Sequence, residues 1–304
     1  MQHYDTISII YNPVSTGPSK SNAETLAAVL RKTNFKTTIT TIPTDHSGHA
    51  EVLAHDLALA SKKPLIISSS GDGGYNEVIN GAMEAQAAGA KVTVGLLPSG
   101  NANDHYSHVH TDGSDLADRI GSGDSLLIDV LKVTYTPAEN ASAEQSGTTT
   151  RFAHSYVGLG LTPHAGKELN KRSLNFFNEK LVVIRSFFSL KPITLKVDNR
   201  RRRYDSLVFS NVQKMAKVLT LSDSASVRDG LFEVTAVVSR HKLHLLRSLA
   251  KTALATAPDS TSCKSFAFTT TRTTPMQLDG EIVYINGRSK VTVEIVPRKL
   301  RCII

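Results

Sequence analysis

The chain has 304 residues, 40 % hydrophobic and 20 % charged, which is typical of a globular protein with one large or two ordinary domains and excludes a disordered chain. The formal charge of +8 favours anionic partners such as nucleotides or phosphate headgroups, whereas the aromatic content of 6 % argues against nucleic acid, which uses aromatic side chains for base stacking. Two cysteines are too few for a disulfide framework or a four-cysteine zinc site, and the absence of an apolar span or basic leader predicts a cytoplasmic protein.

Strands and helices alternate through the first part of the chain. Apolar runs predict strands at 6–13, 36–44, 64–70 and 91–98, and helical periodicity predicts helices at 22–34, 48–63 and 76–89. Such alternation indicates βαβ units, so we expect an α/β fold with a doubly wound parallel sheet and helices on both faces. Ligands of such sheets bind outside the carboxyl ends of the strands.

After residue 130 the pattern changes to short alternating segments. A polar stretch at 138–150 predicts an exposed hairpin loop. Strand patterns follow at 151–160, 193–199, 203–211, 231–239, 264–272, 276–280 and 290–296, and helical patterns at 173–190 and 240–257. We therefore predict a first domain at 1–130 and a second, mainly antiparallel β-sandwich domain at 131–289, with 290–304 as a candidate to return to the first.

The stretch "SSSGDGGYNEVINGA" (68–82) places three glycines where a buried strand passes into a helix. Such a turn brings unpaired backbone N–H groups and the positive end of the helix dipole to one point, which is an anion cradle. Glycine admits a phosphate close to the backbone, and we expect positive φ in the turn. The alternative is an ordinary glycine-rich connection, since the stretch matches neither G-x-G-x-x-G nor the P-loop pattern.

Two further strand ends carry small, hydrogen-bonding turns. One follows the first strand with Asn12, Pro13, Ser15, Thr16 and Gly17, and the other follows the strand at 91–98 with Gly100, Asn101, Asn103 and Asp104. In a parallel sheet these turns lie along one edge, which is the arrangement that a nucleotide spanning several loops requires.

Four motifs in order resemble the bacterial diacylglycerol kinases and the sphingosine-kinase-like lipid kinases: "SGDGGYNEVINGA", "GLLPSGNANDHY", "RDGLFEV" and "QLDGE". The resemblance extends over nearly the whole chain. It implies an ATP-binding α/β domain, a β-sandwich domain for the lipid substrate, and transfer of the γ-phosphoryl group of ATP to a lipid hydroxyl in the cleft between them. It also implies Mg²⁺ as cofactor and a location peripheral to the membrane, with a homodimer left open.

The resemblance also assigns site residues. It implies that the ATP contacts are Asn12, Pro13, Val14, Ser15, Thr16, Thr44, Gly71, Asp72, Gly73, Gly74, Tyr75, Asn76, Glu77 and Asn101. Glu281 matches the general base, and Asp104 and Asp72 match acidic positions near the nucleotide and its magnesium. A structural metal would be bound by the Asp229 side chain, with carbonyl groups near Ser226 and Leu231.

Several positions depart from the family pattern. Ser70 replaces the usual first glycine, and Gly74 and Asn101 each replace a threonine, so hydroxyl donors on the phosphate side are altered. Arg228 stands where a second acid usually precedes Asp229. Two alternatives therefore stay open beside a lipid kinase: a soluble-substrate kinase of the NAD kinase type, which has a similar glycine-aspartate turn, and a catalytically degenerate nucleotide- or lipid-binding regulator.

Overall fold

The chain divides into two compact units. The computed structural model describes residues 4–15, 17–33, 37–100, 106, 108, 115–136, 147–161, 163, 192–215, 219–222, 225–238 and 260–303. One unit comprises Met1–Asp129 with Pro297–Ile304, and the other comprises Val130–Val296.

The first unit contains a parallel sheet with helices on both faces. Its strands are β1 (Thr6–Tyr11), β2 (Thr38–Pro43), β3 (Pro64–Ser70) and β4 (Thr93–Pro98), and its described helices are α1 (Ser19–Lys32), α2 (His49–Leu59), α3 (Asp72–Ala87) and α4 (Leu116–Ser122). The strand order is β4-β3-β1-β2, and every pair in it is parallel. The predicted fold class is therefore confirmed for this part of the chain.

Burial follows the period of each element. Ile7 and Ile9 of β1 share a core with Ala23 and Ala27 of α1, because alternate residues of a strand point to the same face. Small residues on the facing sides of α2 and α3 allow the two helices to approach each other closely. A Cβ atom at Gly81 of α3 would lie only 2.1 Å from the carbonyl oxygen of Glu51 in α2, so glycine is required there.

Two expectations about the glycine turn were wrong. Helix α3 begins at Asp72, four residues before the predicted start at residue 76, so Gly73 and Gly74 belong to its first turn. None of Gly71, Gly73 and Gly74 has positive φ, and Gly71 is extended at φ −92°. The reason is that β3 passes directly into the helix through one extended residue, which makes a left-handed turn unnecessary.

The second unit is built from antiparallel strands. They are β5 (Ser125–Tyr135), β6 (Thr149–Ala153), β7 (Tyr156–Gly160), β8 (Ile193–Val197), β9 (Arg200–Ser210), β10 (Lys214–Met215), β11 (Leu219–Thr220), β12 (Phe232–Val238), β13 (Ser260–Cys263), β14 (Ser265–Thr270), β15 (Thr274–Leu278), β16 (Glu281–Ile285) and β17 (Lys290–Ile303). The order is β16-β15-β7-β9-β8-β14-β17, with β12 and β6 on side branches. The mainly antiparallel character predicted for this domain is confirmed.

The strands of the second unit enclose a large apolar core, and Tyr156, Val208 and Leu221 form a smaller cluster. Phe209, Phe232 and Phe268 lie at the centre of the large core, with Phe209 and Phe232 in edge contact at 5.9 Å between ring centroids. The last residues of β17 pair with β4, so this strand starts in the second unit and ends in the first. The predicted helices at 173–190 and 240–257 lie outside the described residues. No helix in the part of the chain that the structure describes is long and apolar enough to span a bilayer.

Candidate functional site

The carboxyl ends of the parallel strands carry most of the predicted nucleotide contacts. Asn12, Pro13, Val14 and Ser15 follow β1, Thr44 follows β2, and the 71–77 segment follows β3. Because the four strands are parallel, these residues lie along one edge of the sheet. The predicted contacts Thr16 and Asn101 and the acid Asp104 lie outside the described residues.

A serine network joins the loops at this edge. The Ser69 hydroxyl at the end of β3 donates to the carbonyl oxygen of Ser19 at 2.7 Å, and the Ser19 hydroxyl donates to the Ser69 carbonyl oxygen. Ser69 Oγ also lies 3.1 Å from Ser99 Oγ after β4, and the Ser99 N–H donates to the carbonyl oxygen of Ser70. These serines were not among the predicted site residues, although "SSS" and "PSG" at adjacent strand ends were a signal for them.

The loop after β1 is folded tightly against the loop after β4. The Asn12 side chain accepts a hydrogen bond from Val14 N–H, and the Asn12 N–H donates to Ser19 Oγ. A Cβ atom at Gly17 would lie 2.0 Å from the Ser99 carbonyl oxygen, so only glycine permits this contact. The backbone of two loops is thus held beside the start of α3.

The first turn of α3 lies at the carboxyl end of β3 and begins without a side-chain cap from the described part of the chain. Among the described residues no side chain caps Gly71, and the first intrahelical hydrogen bond runs from Tyr75 N–H to the Gly71 carbonyl oxygen at 3.1 Å. The N–H groups of Gly73 and Gly74, in the first helical turn, therefore have no partner inside the helix. Together with the helix dipole they favour a phosphate group.

The two departures at Ser70 and Gly74 are complementary in space. A Cβ atom at Gly74 would lie 2.8 Å from both Cβ and Oγ of Ser70. The Ser70 hydroxyl is held there by hydrogen bonds to Ser68 Oγ at 2.7 Å and to the Gly71 carbonyl oxygen at 2.9 Å. The space between the end of β3 and the first turn of α3 has room for only one side chain. In this protein the Ser70 side chain occupies it.

Two of the predicted contact residues, Tyr75 and Asn76, direct their side chains into the protein. Tyr75 is buried and its hydroxyl reaches Cys302 Sγ at 3.5 Å, while burial raises the pKa of the Cys302 thiol to about 12. Asn76 accepts a hydrogen bond from the Asn80 amide at 3.1 Å. These side chains pack inside the protein and hold α3 in place, so they do not face the carboxyl edge of the sheet as side-chain contacts with a nucleotide would require.

Glu77 caps the neighbouring helix. Its carboxylate oxygens accept hydrogen bonds from the N–H groups of Gly48 at 2.9 Å and Ala50 at 3.2 Å, at the N-terminus of α2. A carboxylate at this position satisfies N–H groups that lack intrahelical partners and complements the helix dipole. Glu77 thereby ties the loop after β2 to the first turns of α3.

Glu281 follows a two-residue hairpin turn. Leu278 pairs with Glu281 across β15 and β16, and the intervening Asp279 and Gly280 have φ of 47° and 105°. Positive φ at both positions is what a type I′ turn requires, and Asp-Gly is a preferred sequence for it. Glu281 is therefore the first residue of β16, and its side chain is partly exposed.

The turn is anchored by a buried carboxylate. Asp279 is fully buried, and its oxygens accept hydrogen bonds from the backbone N–H groups of His154 at 2.7 Å, Ser155 at 2.9 Å and Tyr156 at 2.8 Å. The His154 ring nitrogen Nε2 lies 3.4 Å from the same carboxylate, and Nδ1 lies 2.7 Å from Ser155 Oγ. Asp279 was not among the predicted site residues, although it lies in the "QLDGE" motif.

The predicted metal site has a sparse set of ligands. Asp229 is exposed and its Oδ1 accepts a hydrogen bond from Leu231 N–H at 3.0 Å, while Ser226 Oγ accepts one from Arg228 N–H at 3.3 Å. No cluster of three or more His, Cys, Asp or Glu side chains occurs among the described residues. One carboxylate with backbone carbonyl groups suits a hydrated Mg²⁺ or Ca²⁺, and it does not suit a zinc ion.

Comparisons with known proteins agree with the predicted family. Residues 6–133 match the family model of the diacylglycerol kinase catalytic domain. The fold resembles a diacylglycerol kinase from Bacillus anthracis str. Sterne, with a TM-score of 0.70, 15 % identity, and coverage of 100 % of this chain and 98 % of that chain. A candidate diacylglycerol kinase from the same organism gives a TM-score of 0.72 at 16 % identity, with the same coverage. A search of curated proteins gave no significant match.

Proposed function

Because residues 6–133 match the catalytic domain of the diacylglycerol kinases, we propose that this protein is a lipid kinase that transfers the γ-phosphoryl group of ATP to a lipid hydroxyl such as that of diacylglycerol. The observation that carries the proposal is the α3 N-terminus, where no described side chain caps Gly71, beside loops joined by Ser19, Ser69 and Ser99. Phosphoryl transfer depends on positioning and charge neutralisation, and both are functions that such a preformed backbone cradle serves.

ATP is proposed to bind along the carboxyl edge of the parallel sheet. The N–H groups of Gly73 and Gly74 would donate to phosphate oxygens, and the loops at 12–16 and at Thr44 and Asn101 would enclose the nucleotide. Magnesium bound with ATP supplies charge neutralisation of the phosphates. Asp72 in the first helical turn, and Asp104, are the acidic residues proposed to hold it, while Asp229 is proposed for a separate structural ion.

Glu281 is proposed as the general base. The attacking hydroxyl oxygen bonds to the γ-phosphorus, its proton passes to the Glu281 carboxylate, and the bond from phosphorus to the β–γ bridging oxygen breaks to release ADP. A base at this point contributes about 10²- to 10⁴-fold to the rate. The hairpin turn and the buried Asp279 keep Glu281 at a defined place on β16.

Radiolabelled ATP tests the proposal. The protein is incubated with a panel of lipid alcohols in mixed micelles, and with NAD as a soluble acceptor. Label in a lipid is expected. Label in NAD would instead indicate a kinase of the NAD kinase type. No transfer at all would indicate a regulator that binds without catalysis. The exposed Arg228 beside Asp229 favours this last alternative.

The Glu281→Gln variant separates catalysis from folding. We expect it to lose at least 10²-fold in turnover while ATP affinity and melting temperature stay close to wild type. Glu294→Gln is the matched control, because Glu294 is a half-exposed glutamate of the same unit whose carboxylate lies 4.0 Å from the Lys132 amine. If Glu281→Gln has the same turnover as the Glu294→Gln control, Glu281 is not the general base.

Three wider assignments belong to the same proposal. A lipid acceptor places the reaction at a membrane surface, so the protein is proposed to be cytoplasmic and peripheral to the membrane. Its small-molecule partners are ATP and the lipid alcohol. Homodimer formation is a proposal that size-exclusion chromatography with light scattering would decide.

A further inference from the structure

A row of cations crosses the outer face of the antiparallel sheet. Arg201 on β9 pairs with Lys196 on β8. Thr269 on β14 pairs with Lys196 on one side and with Lys290 on β17 on the other. The core residues of β8 and β14 alternate with Lys196 and Thr269, so the row faces away from the core, and all three cations are exposed. Three positive charges thus lie within about 14 Å, three strand spacings.

An open groove of about 640 Å³ adjoins the row. Its lining residues are Pro192, Thr194, Arg201, Arg203, Thr271 and Arg272. Arg203 pairs with Thr194 and therefore lies on the same face as Arg201, two residues along β9. The groove thus presents guanidinium groups and threonines, and none of its described lining residues is acidic. We call Lys196, Arg201, Arg203, Arg272 and Lys290 the basic face.

Few described acidic residues lie near this face. Asp198 is one of them, in the exposed turn between β8 and β9, two residues after Lys196. Glu294 shares the face but lies four residues from Lys290, about 13 Å along β17, and its nearest cation is Lys132. Asp205 continues the line of Arg203 and is buried. None of the five cations forms an ion pair with a described residue. Like charges on directly opposed strand residues destabilise a sheet, so an external anion would relieve this arrangement.

We propose that the basic face binds the anionic headgroups of a membrane and brings the lipid kinase to the surface that holds its substrate. The identity of this partner rests on the proposed function, whereas the need for an anion rests on the charges alone. A sheet face with cations exposed on adjacent strands matches an extended layer of phosphates, and each basic residue near such a layer strengthens binding. Nucleic acid is the weaker fit, because the described residues of the face include no aromatic side chain for base stacking.

Vesicle sedimentation tests the proposal with the full-length protein. Vesicles of phosphatidylcholine alone are compared with vesicles that also contain phosphatidylglycerol, at low and at high salt. We expect binding to the anionic vesicles only, and weaker binding at high salt. The Arg201→Gln/Lys196→Gln variant is expected to bind these vesicles about 30-fold more weakly.

A matched variant controls for net charge. Lys62 and Lys63 are exposed lysines of the other unit, so Lys62→Gln/Lys63→Gln removes the same charge at a distant place in the chain and is expected to bind the vesicles like wild type. The basic-face variant should fold, and its melting temperature should not fall, since it loses a like-charge pair. Equal losses in both variants, or wild-type binding to neutral vesicles, would overturn the proposal.

Two further experiments test the proposal. One distinguishes membrane binding from binding of free phosphate or RNA, and the other separates the basic face from the proposed kinase activity. Displacement by millimolar inorganic phosphate would show a site for free phosphate, and RNA binding lost in the basic-face variant would show a nucleic-acid surface; either result contradicts the proposal. Kinase turnover in neutral detergent micelles should be unchanged by the basic-face variant. Absent turnover with normal vesicle binding would refute the kinase alone, and normal turnover without vesicle binding would refute the basic face alone.

Discussion

Asp279 and Tyr156 hold each other through two hydrogen bonds. The Tyr156 N–H donates to Asp279 Oδ1 at 2.8 Å, and the Asp279 N–H donates to the Tyr156 carbonyl oxygen at 3.1 Å. The turn before β16 is therefore locked to the first residue of β7, and Glu281 lies only two residues beyond this lock. The position of the proposed base is thus decided by a buried carboxylate that does not itself have to contact substrate.

Asp279→Asn should impair turnover through Glu281. The amide replaces one carboxylate oxygen and weakens the bonds from the His154 to Tyr156 backbone, at a cost of about 1.5–3 kcal/mol in unfolding free energy. We expect kcat to fall and KM for ATP to stay unchanged. Asp198→Asn is the control, because Asp198 also has positive φ, at 49°, but its turn is exposed. Unchanged kcat in Asp279→Asn, measured on folded protein, would contradict the positioning function.

Gly74→Thr should destabilise the first turn of α3. Its Cβ would lie 2.8 Å from Ser70 Cβ and Oγ, and such overpacking costs about 1–3 kcal/mol. We expect a lower melting temperature and weaker ATP binding. The Ser70→Gly/Gly74→Thr double variant should recover much of both, since it moves the side chain from one partner to the other. A double variant whose loss is the sum of the single losses would show that the two positions are independent.

Glu77→Ala should weaken α2 rather than α3. It leaves the N–H groups of Gly48 and Ala50 without their carboxylate acceptor, and lost N-terminal caps cost about 0.5–2 kcal/mol. Hydrogen exchange of the Ala50 amide should accelerate, and urea denaturation should show the loss of stability. Glu84→Gln removes an exposed glutamate of α3 and should leave both measurements unchanged. Protection of Ala50 that persists in Glu77→Ala would exclude the cap.

Cys302 should make stability depend on alkaline pH. Burial raises the pKa of its thiol to about 12, so the unfolded chain loses this proton at lower pH than the folded protein. The stabilising contribution is present below the ordinary thiol pKa and is lost as pH rises towards 12, with a slope of up to about 1.4 kcal/mol per pH unit. Cys302→Ala should therefore lose less stability than wild type between pH 9 and about pH 11. Chemical denaturation at these pH values measures the free energy of unfolding of each variant, with Cys263→Ala as the control.

Local patterns were sufficient for most elements of the chain. The alternation of apolar and polar residues predicted β1, β3, β7, β8, β12 and β14 to within a few residues, because strand and helix periods are properties of neighbouring residues. The same reasoning missed β5, β10, β11, β13 and β16, and it started β9 at Arg203, although the strand begins at Arg200. A run of charged residues has no apolar alternation, so it cannot be recognised as a strand until its pairing with β8 is known.

The order of strand, three glycines and helix could be predicted from local sequence alone, and with it the position of a helix N-terminus at the end of β3. Only the tertiary structure decided that Gly74 makes room for Ser70, that Asp279 anchors the turn before Glu281, and that Arg201, Lys196 and Lys290 lie in one row. The reason is distance along the chain: these relationships join residues brought together by strand register and core packing, and neither leaves a periodic signal in the local sequence.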